Sequence, residues 1–267
     1  MPLLIHLEKA RIQINYYALD LSLASLKANV QALISSPLRQ FQFVQCFGLW
    51  GTFRDGFDLI RSIKSPVVIL SLGSMFGNDR FESAVSSLVP WARAMKPIDR
   101  MLVGLDSECN EEDVWASYHD SQGLWEDFIR SGLRASNDLL GHKWFSDEDW
   151  QVVGALNSNP TVHNFRTCAL KRVNVPELGL DFSAGESIDF FESWKHKPEV
   201  MRRQFKAAGL QELRCWKAPG KPFCESFRIY FLPCSVIAML VTQTLILMLD
   251  AKDQYLLTPT PGPTPCL

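Results

Sequence analysis

Asp20 sits in YYALDLS, Tyr16 to Ser22, where an acid follows a β-type run and precedes a helical one. A carboxylate at such a junction can accept two hydrogen bonds from ribose hydroxyls, the usual duty of that position in nucleotide-binding sheets. Asp20 and Ser22 are also good helix N-caps, and the residues alone leave both readings open. GLWGTFRDG, Gly48 to Gly56, follows the next β-run. Its three glycines would allow close backbone approach to a ligand, and Phe53 offers a flat face for an adenine. A plain turn with a core Phe fits the same letters. In LSLGSMFGNDRF, Leu70 to Phe81, Gly73 and Gly77 bracket a loop at a strand's carboxyl end, with Asn78 or Asp79 able to cap the next helix. MLVGLDSE, Met101 to Glu108, carries Asp106 at a fourth such end.

The elements that must position these residues alternate. Short β-runs at Ile14–Leu19, Phe41–Phe47, Pro66–Leu72 and Arg100–Leu105 are separated by stretches with apolar residues three or four apart, such as Leu21, Leu23, Leu26, Val30 and Leu33. That order predicts a parallel sheet wrapped by helices, whose ligands bind where the carboxyl ends meet. A helical region follows from about Glu111 to Leu140, interrupted near Gly123 and Gly132 and closed by Gly141 as a C-cap. Beyond it Trp150–Leu156, Cys168–Val175 and Leu180–Phe191 read as strands joined by Asn, Pro and Gly turns, an inserted antiparallel subdomain. A helix returns over Pro198 to Ala208, with Gly209 at its end, and Gln211–Trp216 and Ser226–Leu232 form a terminal hairpin.

A net charge of −2, with Lys and Arg scattered among carboxylates, offers no stripe for a phosphate backbone and argues against nucleic acid as a partner. Seven cysteines without a CxxC pair read as reduced thiols, with neither a zinc site nor a disulfide framework. The five histidines show no ligand spacing, and no metal is expected. With no secretory pattern at its start, the chain is expected to be cytoplasmic. Residues 229–249 are nearly continuous apolar sequence, just long enough to span a bilayer. If Ile229–Leu232 completes a strand, Val236–Leu249 remains as a buried or dimerising helix. The Pro/Thr-rich end from Thr258 reads as disordered.

Each motif alone is common turn chemistry, but in this order they are specific. YYALDLS, GLWGTFRDG, SLGSMFGND and MLVGLDSE, then YHDSQGLWEDFIRSGLRASNDLLG (Tyr118 to Gly141), GESIDFFESWKH (Gly185 to His196) and FKAAGL (Phe205 to Leu210), carry a resemblance. From about Leu3 to Leu232 the chain resembles the histidine-specific, S-adenosylmethionine-dependent methyltransferases. That family includes the ergothioneine-pathway enzyme and the fungal dimethylallyltryptophan N-methyltransferases. The resemblance implies an α/β, class I methyltransferase-like, mostly parallel sheet with an inserted antiparallel substrate subdomain. It implies S-adenosyl-L-methionine as cofactor and the α-amine of a small amino acid as acceptor, tryptophan-derived or histidine, in specialised metabolism. Asp20 would hold the ribose hydroxyls, Thr52 and Phe53 would flank the adenine, and Gly73 would line the cofactor. Ser131, where relatives tend to carry Asn, would face the amino acid together with Glu192 and Ser193. The expected division is a cofactor-binding domain over 1–139, a substrate subdomain over 140–193, a return over 194–232 and an atypical tail over 233–267.

The resemblance also sets an expectation of absence. Class I methyltransferases place a strand and glycine-rich turn before the position of Tyr16, and Pro2–Lys9 reads as the end of the helix that should follow that turn. The slot between the Ile14–Leu19 and Pro66–Leu72 strands is then expected to stand empty, exposing two rows of backbone donors and acceptors. The rival reading of function is a truncated, catalytically inactive remnant or binding module of the same fold.

Overall fold

The computed structural model describes residues 2–35, 41–73, 75–107, 110–217, 225–229 and 243–249. The chain divides into two compact units, Met1–Ser107 with Lys197–Leu267, and Glu108–His196. The second unit opens at Glu108, so the helical region assigned to the cofactor domain by sequence groups with the antiparallel strands instead.

In the first unit, helix α1 (Pro2–Lys9) leads to strand β1 (Ile14–Asp20). Then come α2 (Leu23–Ile34), β2 (Val44–Trp50), α3 (Phe53–Ser62), β3 (Val67–Leu72), α4 (Phe81–Ala94) and β4 (Arg100–Asp106). β1 pairs with β2, and β3 with β4, in parallel. All six residues of β3 are buried because both of its faces are covered. Val68, Leu70 and Leu72 join the cluster that includes Leu4, Tyr16 and Leu26. Val67 and Ile69 join the one that includes Ile60, Leu88 and Trp91. That split is the two-residue period of a strand covered on both sides.

β2 begins three residues later than Phe41–Phe47 would have it. The Glu8 carboxylate accepts hydrogen bonds from the backbone N–H of Gln42, Phe43 and Val44 at 2.8, 2.8 and 3.0 Å. These amides are thereby satisfied by a side chain, and regular pairing starts with Ile14 opposite Val44. Gly48 consequently lies inside the strand. A Cβ there would stand 3.1 Å from Leu26 Cγ, so this glycine serves helix packing and not a ligand turn.

The second unit opens with α5 (Glu111–Tyr118) and α6 (Leu124–Leu140), parted at Gly123, whose φ is +71°. Gly132 lies within α6 and breaks nothing, whereas Gly141 at φ +70° caps it. Strands β5 (Trp150–Ser158), β6 (Thr161–Ala169), β7 (Val173–Val175), β8 (Leu180–Phe182) and β9 (Ser187–Trp194) follow. β5, β6 and β9 form an antiparallel sheet in that order, and β7 and β8 a separate pair. The run read as Cys168–Val175 is in fact the end of β6 and the start of β7.

The chain returns to the first unit through α7 (Pro198–Ala207) and the antiparallel hairpin of β10 (Arg214–Lys217) and β11 (Glu225–Ile229), which adds to β4. The last strand, β12 (Gln243–Leu249), lies between β3 and β1, antiparallel to both, giving the order β10-β11-β4-β3-β12-β1-β2. This corrects two expectations. The central slot is filled, and the part of the apolar run 229–249 that is described is extended strand at both its ends, not helix. Among the described residues no helix is long and apolar enough to cross a membrane. The Pro/Thr-rich end lies outside the described residues.

Candidate functional site

In the first unit the four parallel-running strands end together at Asp20, Trp50, Leu72 and Asp106. Asp20 Oδ1 accepts from the Ser22 N–H at 2.8 Å, and the N-cap of α2 is Ser22, whose Oγ accepts from the Ser25 N–H at 3.2 Å. The two readings of Asp20 separate here: it forms a short side-chain turn and caps nothing, and its second oxygen accepts from no described residue. Thr52 is committed to a capping box. Its Oγ1 accepts from the Asp55 N–H at 3.4 Å and donates to Asp55 Oδ2 at 2.7 Å, while that carboxylate takes the Thr52 N–H at 2.6 Å. These bonds hold the Asp55 carboxyl below the usual carboxylate range. Phe53 is 42% exposed and packs one side on Phe76 and Trp91, with centroids 5.7 and 5.5 Å apart, leaving ring surface free. Gly73 has φ +94°, a left-handed turn at the end of β3 that other residues enter only with strain.

Sequence reasoning missed two residues beside this edge. Gln204 on α7 and Ser71 on β3 are both fully buried, and neither the Gln204 carboxamide nor the Ser71 hydroxyl has a hydrogen-bond partner. Gln204 Oε1 comes near the Gly77 turn, where a Cβ would lie 3.4 Å away. Orphaned polar atoms of this kind ask for an explanation, and ligand or water at a strand-end site is one.

In the second unit the three predicted residues part company. Ser131 is exposed on α6 with Leu124 and Phe128, opposite the buried stripe of Ile129 and Leu133. Glu192 and Ser193 are neighbours on β9, so their side chains leave opposite faces of the sheet. Ser193 pairs with His163 and is 1% exposed, whereas Glu192 pairs with Asn164 and accepts from Trp194 Nε1 at 3.0 Å.

Ser193 belongs to a buried polar chain. Lys195 Nζ donates to Tyr118 Oη at 2.9 Å, and Tyr118 Oη and Ser193 Oγ lie 2.5 Å apart. Two hydroxyl groups own two hydrogens and their mutual bond uses one. The other meets no acceptor among the described residues, and Lys195 can only donate. The cluster is therefore rich in donors and keeps one hydroxyl hydrogen for an acceptor group. Aromatic rings wall it: Trp125 stands 5.2 Å from Tyr118 and 5.8 Å from Phe191, and Phe128 lies 5.6 Å from Trp125.

Behind Tyr118, and stacked on it at 4.3 Å, is His163, fully buried. Its Nε2 lies 2.9 Å from His119 Nε2, and its Nδ1 has no partner. Burial, with His119 and Lys195 close by, pushes the His163 pKa down to about 4, so the ring is neutral. Gly154 makes the pair possible, since a Cβ there would collide with the His119 ring. The signals for this cluster were local. Trp115, Tyr118 and His119 share a helix face at spacing i, i+3, i+4, and Ser193 and Lys195 share a strand face at i, i+2. Only the fold joins the two sets. Among the described residues no group of three or more His, Cys, Asp or Glu could hold a metal.

Residues 1–228 match the family described as histidine-specific, SAM-dependent methyltransferases. Ergothioneine biosynthesis protein 1 of Neurospora crassa is 31% identical over 214 residues, covering 79% of this chain and 24% of its own length. Its Schizosaccharomyces pombe namesake is 28% identical, with 73% and 26% covered. The 4-dimethylallyltryptophan N-methyltransferase ifgB of Penicillium roqueforti is 28% identical, with 82% and 68% covered. The chain thus spans about a quarter of the length of the first two relatives. With a match that runs through β1, the whole second unit and α7, the chain belongs to the histidine-specific, S-adenosylmethionine-dependent methyltransferase family.

Proposed function

We propose that this chain, or the protein it is part of, transfers a methyl group from S-adenosylmethionine to the α-amine of an amino acid, histidine or a tryptophan derivative such as dimethylallyltryptophan. The observation that carries the reading is the donor-rich Lys195, Tyr118 and Ser193 cluster against aromatic walls, inside a chain of this family. An amino acid brings a carboxylate for the leftover hydroxyl hydrogen, and a ring for Trp125 and Phe128. Ser131, beside Phe128 on α6, would border that ring.

The first unit's edge fits the cofactor in two respects: the second oxygen of Asp20 remains able to accept from a ribose hydroxyl, and Phe53 keeps ring surface for adenine. Thr52 fits only as scaffold for Phe53, because its cap already uses its hydroxyl. Gly73 lets the backbone turn close to whatever occupies that edge. When bound, S-adenosylmethionine supplies a methyl group already activated as a sulfonium. The protein's part is to present the amine unprotonated and to exclude water. A free amino acid's α-amine holds its proton more tightly than a peptide α-amine, whose pKa is about 7.7–8.0, but desolvation in the site favours the neutral form, and the amine proton can leave to solvent before closure.

The second reading, a binding module without turnover, draws on the reversed strand at the sheet's centre. Calorimetric titration with S-adenosylhomocysteine, followed by a radiolabelled methyl-transfer assay on histidine, tryptophan and dimethylallyltryptophan, separates the two. Binding without transfer to any acceptor favours the module, and no binding at millimolar ligand overturns both.

A further inference from the structure

The strand at the centre of the first unit's sheet comes from outside the segment shared with the family. That segment ends at residue 228, whereas β12 spans Gln243–Leu249. β1, β2, β3 and β4 all run one way, and β12 alone among these inner strands runs against its two neighbours. It is registered along nearly their whole length, Ile14 to Ala18 against Leu249 to Leu245 on one side and Val67 to Leu72 against Met248 to Gln243 on the other. No other described strand touches those two edges.

We propose that the slot between β1 and β3 is a strand-acceptor site and that the chain's own C-terminal segment Gln243–Leu249 is its occupant, a strand donated from beyond the family segment to close the sheet. The acceptor side is demanding. β3 is buried throughout and Ile14, Tyr16 and Ala18 of β1 are buried, so the backbone groups along these edges are taken out of water with β12 as their partner. The donor side is suited in sequence: QTLILML has no charge, Pro or Gly and is rich in residues that tolerate a two-sided apolar environment. Antiparallel pairing explains why a C-terminal segment can serve. Its hydrogen bonds are at least as good as parallel ones. The apolar character of Gln243–Leu249, the end of the run 229–249, is on this account that of a strand at the sheet centre.

Amide hydrogen exchange of the full chain, resolved by peptide, tests the assignment. Residues 243–249, 14–18 and 67–72 are expected to exchange together and about 1,000-fold or more slower than unstructured peptide, as core strands do. Free exchange of 243–249 beside protected β1 and β3 overturns it. A second arm places Leu245→Pro with Leu247→Pro in the full chain. Exchange in 14–18 and 67–72 should rise at least about tenfold while 161–169 of the second unit stays unchanged. Unchanged protection of β1 and β3 in that variant overturns the proposal equally. Should the variant precipitate, exchange of the unaltered chain decides.

Discussion

His163 should make the second unit acid-sensitive, by an amount the structure sets. Folded, its ring is fully buried with a pKa of about 4, against 6.5 for the free side chain. Between those values an unfolded chain takes up a proton that the folded one refuses. Protons therefore favour unfolding, and stability falls as pH drops from 6.5 towards 4, while above 6.5 this contribution is flat. Integrating the two titrations gives a loss of about 2 kcal/mol between pH 7 and pH 5 from this residue alone. The groups facing it act in the same direction. His119 shares the Nε2 contact and is itself held below the ordinary histidine range, chiefly by burial, and Lys195 adds positive charge. Carboxylates held low by their partners, such as Asp147 between Arg134 and Arg130 or Asp149 beside Lys171, lose their protons below this window and contribute little within it.

The assay is urea unfolding at pH 7 and pH 5, for the native chain and for His163→Phe, which keeps a ring on Tyr118. Five of the eight tryptophans (Trp115, Trp125, Trp144, Trp150 and Trp194) lie in the second unit, so indole fluorescence reports mainly on it. His163→Phe should lose less on acidification than the native chain, by about 2 kcal/mol. A difference within about 0.5 kcal/mol, the usual scatter of a neutral substitution, would refute the claim that a buried neutral His163 governs the pH response.

Gly154→Ala should displace the His119 ring and strand His163 Nε2, destabilising the second unit by about 2–3 kcal/mol in urea melts at pH 7; a loss under about 0.5 kcal/mol would show that the ring moves aside freely. Ser193→Ala should raise the acceptor KM at least about tenfold with S-adenosylhomocysteine affinity unchanged, while Glu192→Gln, on the other sheet face, should change KM less than about threefold, and steady-state kinetics with parallel titrations decides. Asp20→Ala should weaken S-adenosylhomocysteine at least about tenfold by calorimetry, with Asp20→Asn, which keeps the turn to Ser22, weakening it nearly as much; an effect confined to Ala would return Asp20 to a purely structural role. Glu8→Gln should cost the first unit about 2 kcal/mol, because one amide oxygen replaces a carboxylate that serves three backbone N–H groups; that contribution is present above the ordinary carboxylate range and is lost as pH falls through the lowered folded value, so native chain and variant should draw together in melts as the solution is acidified.

How far the sequence could be read follows from the range of the forces involved. The strand-to-helix junctions at Asp20, Thr52, Gly73 and Asp106 were legible because strand period, capping and glycine turns act within a few residues. The same locality explains the errors. Gly48 looks like a turn until Leu26, on another element, is seen to need its space. Glu8 delays the start of β2 from 34 residues away, and no periodicity encodes that. Glu192 and Ser193, both placed near the amino acid by the resemblance, leave opposite faces of β9, as strand alternation requires.

The Lys195, Tyr118 and Ser193 cluster was beyond any local rule, since Tyr118 and Ser193 are 75 residues apart and only the packing of α5 on the antiparallel sheet joins them. The tail shows the same limit from the other side. QTLILML states that it wants burial on both faces, and a membrane, a partner helix and a sheet centre all satisfy that demand. What selects among them is a property of distant sequence: β1 and β3, each paired on its outer edge by a parallel neighbour, present facing inner edges one strand apart. An apolar segment is therefore read correctly only after the hydrogen-bond account of the rest of the chain has been closed. Here the facing edges of β1 and β3, more than hydrophobicity, dictate that Gln243–Leu249 is a strand.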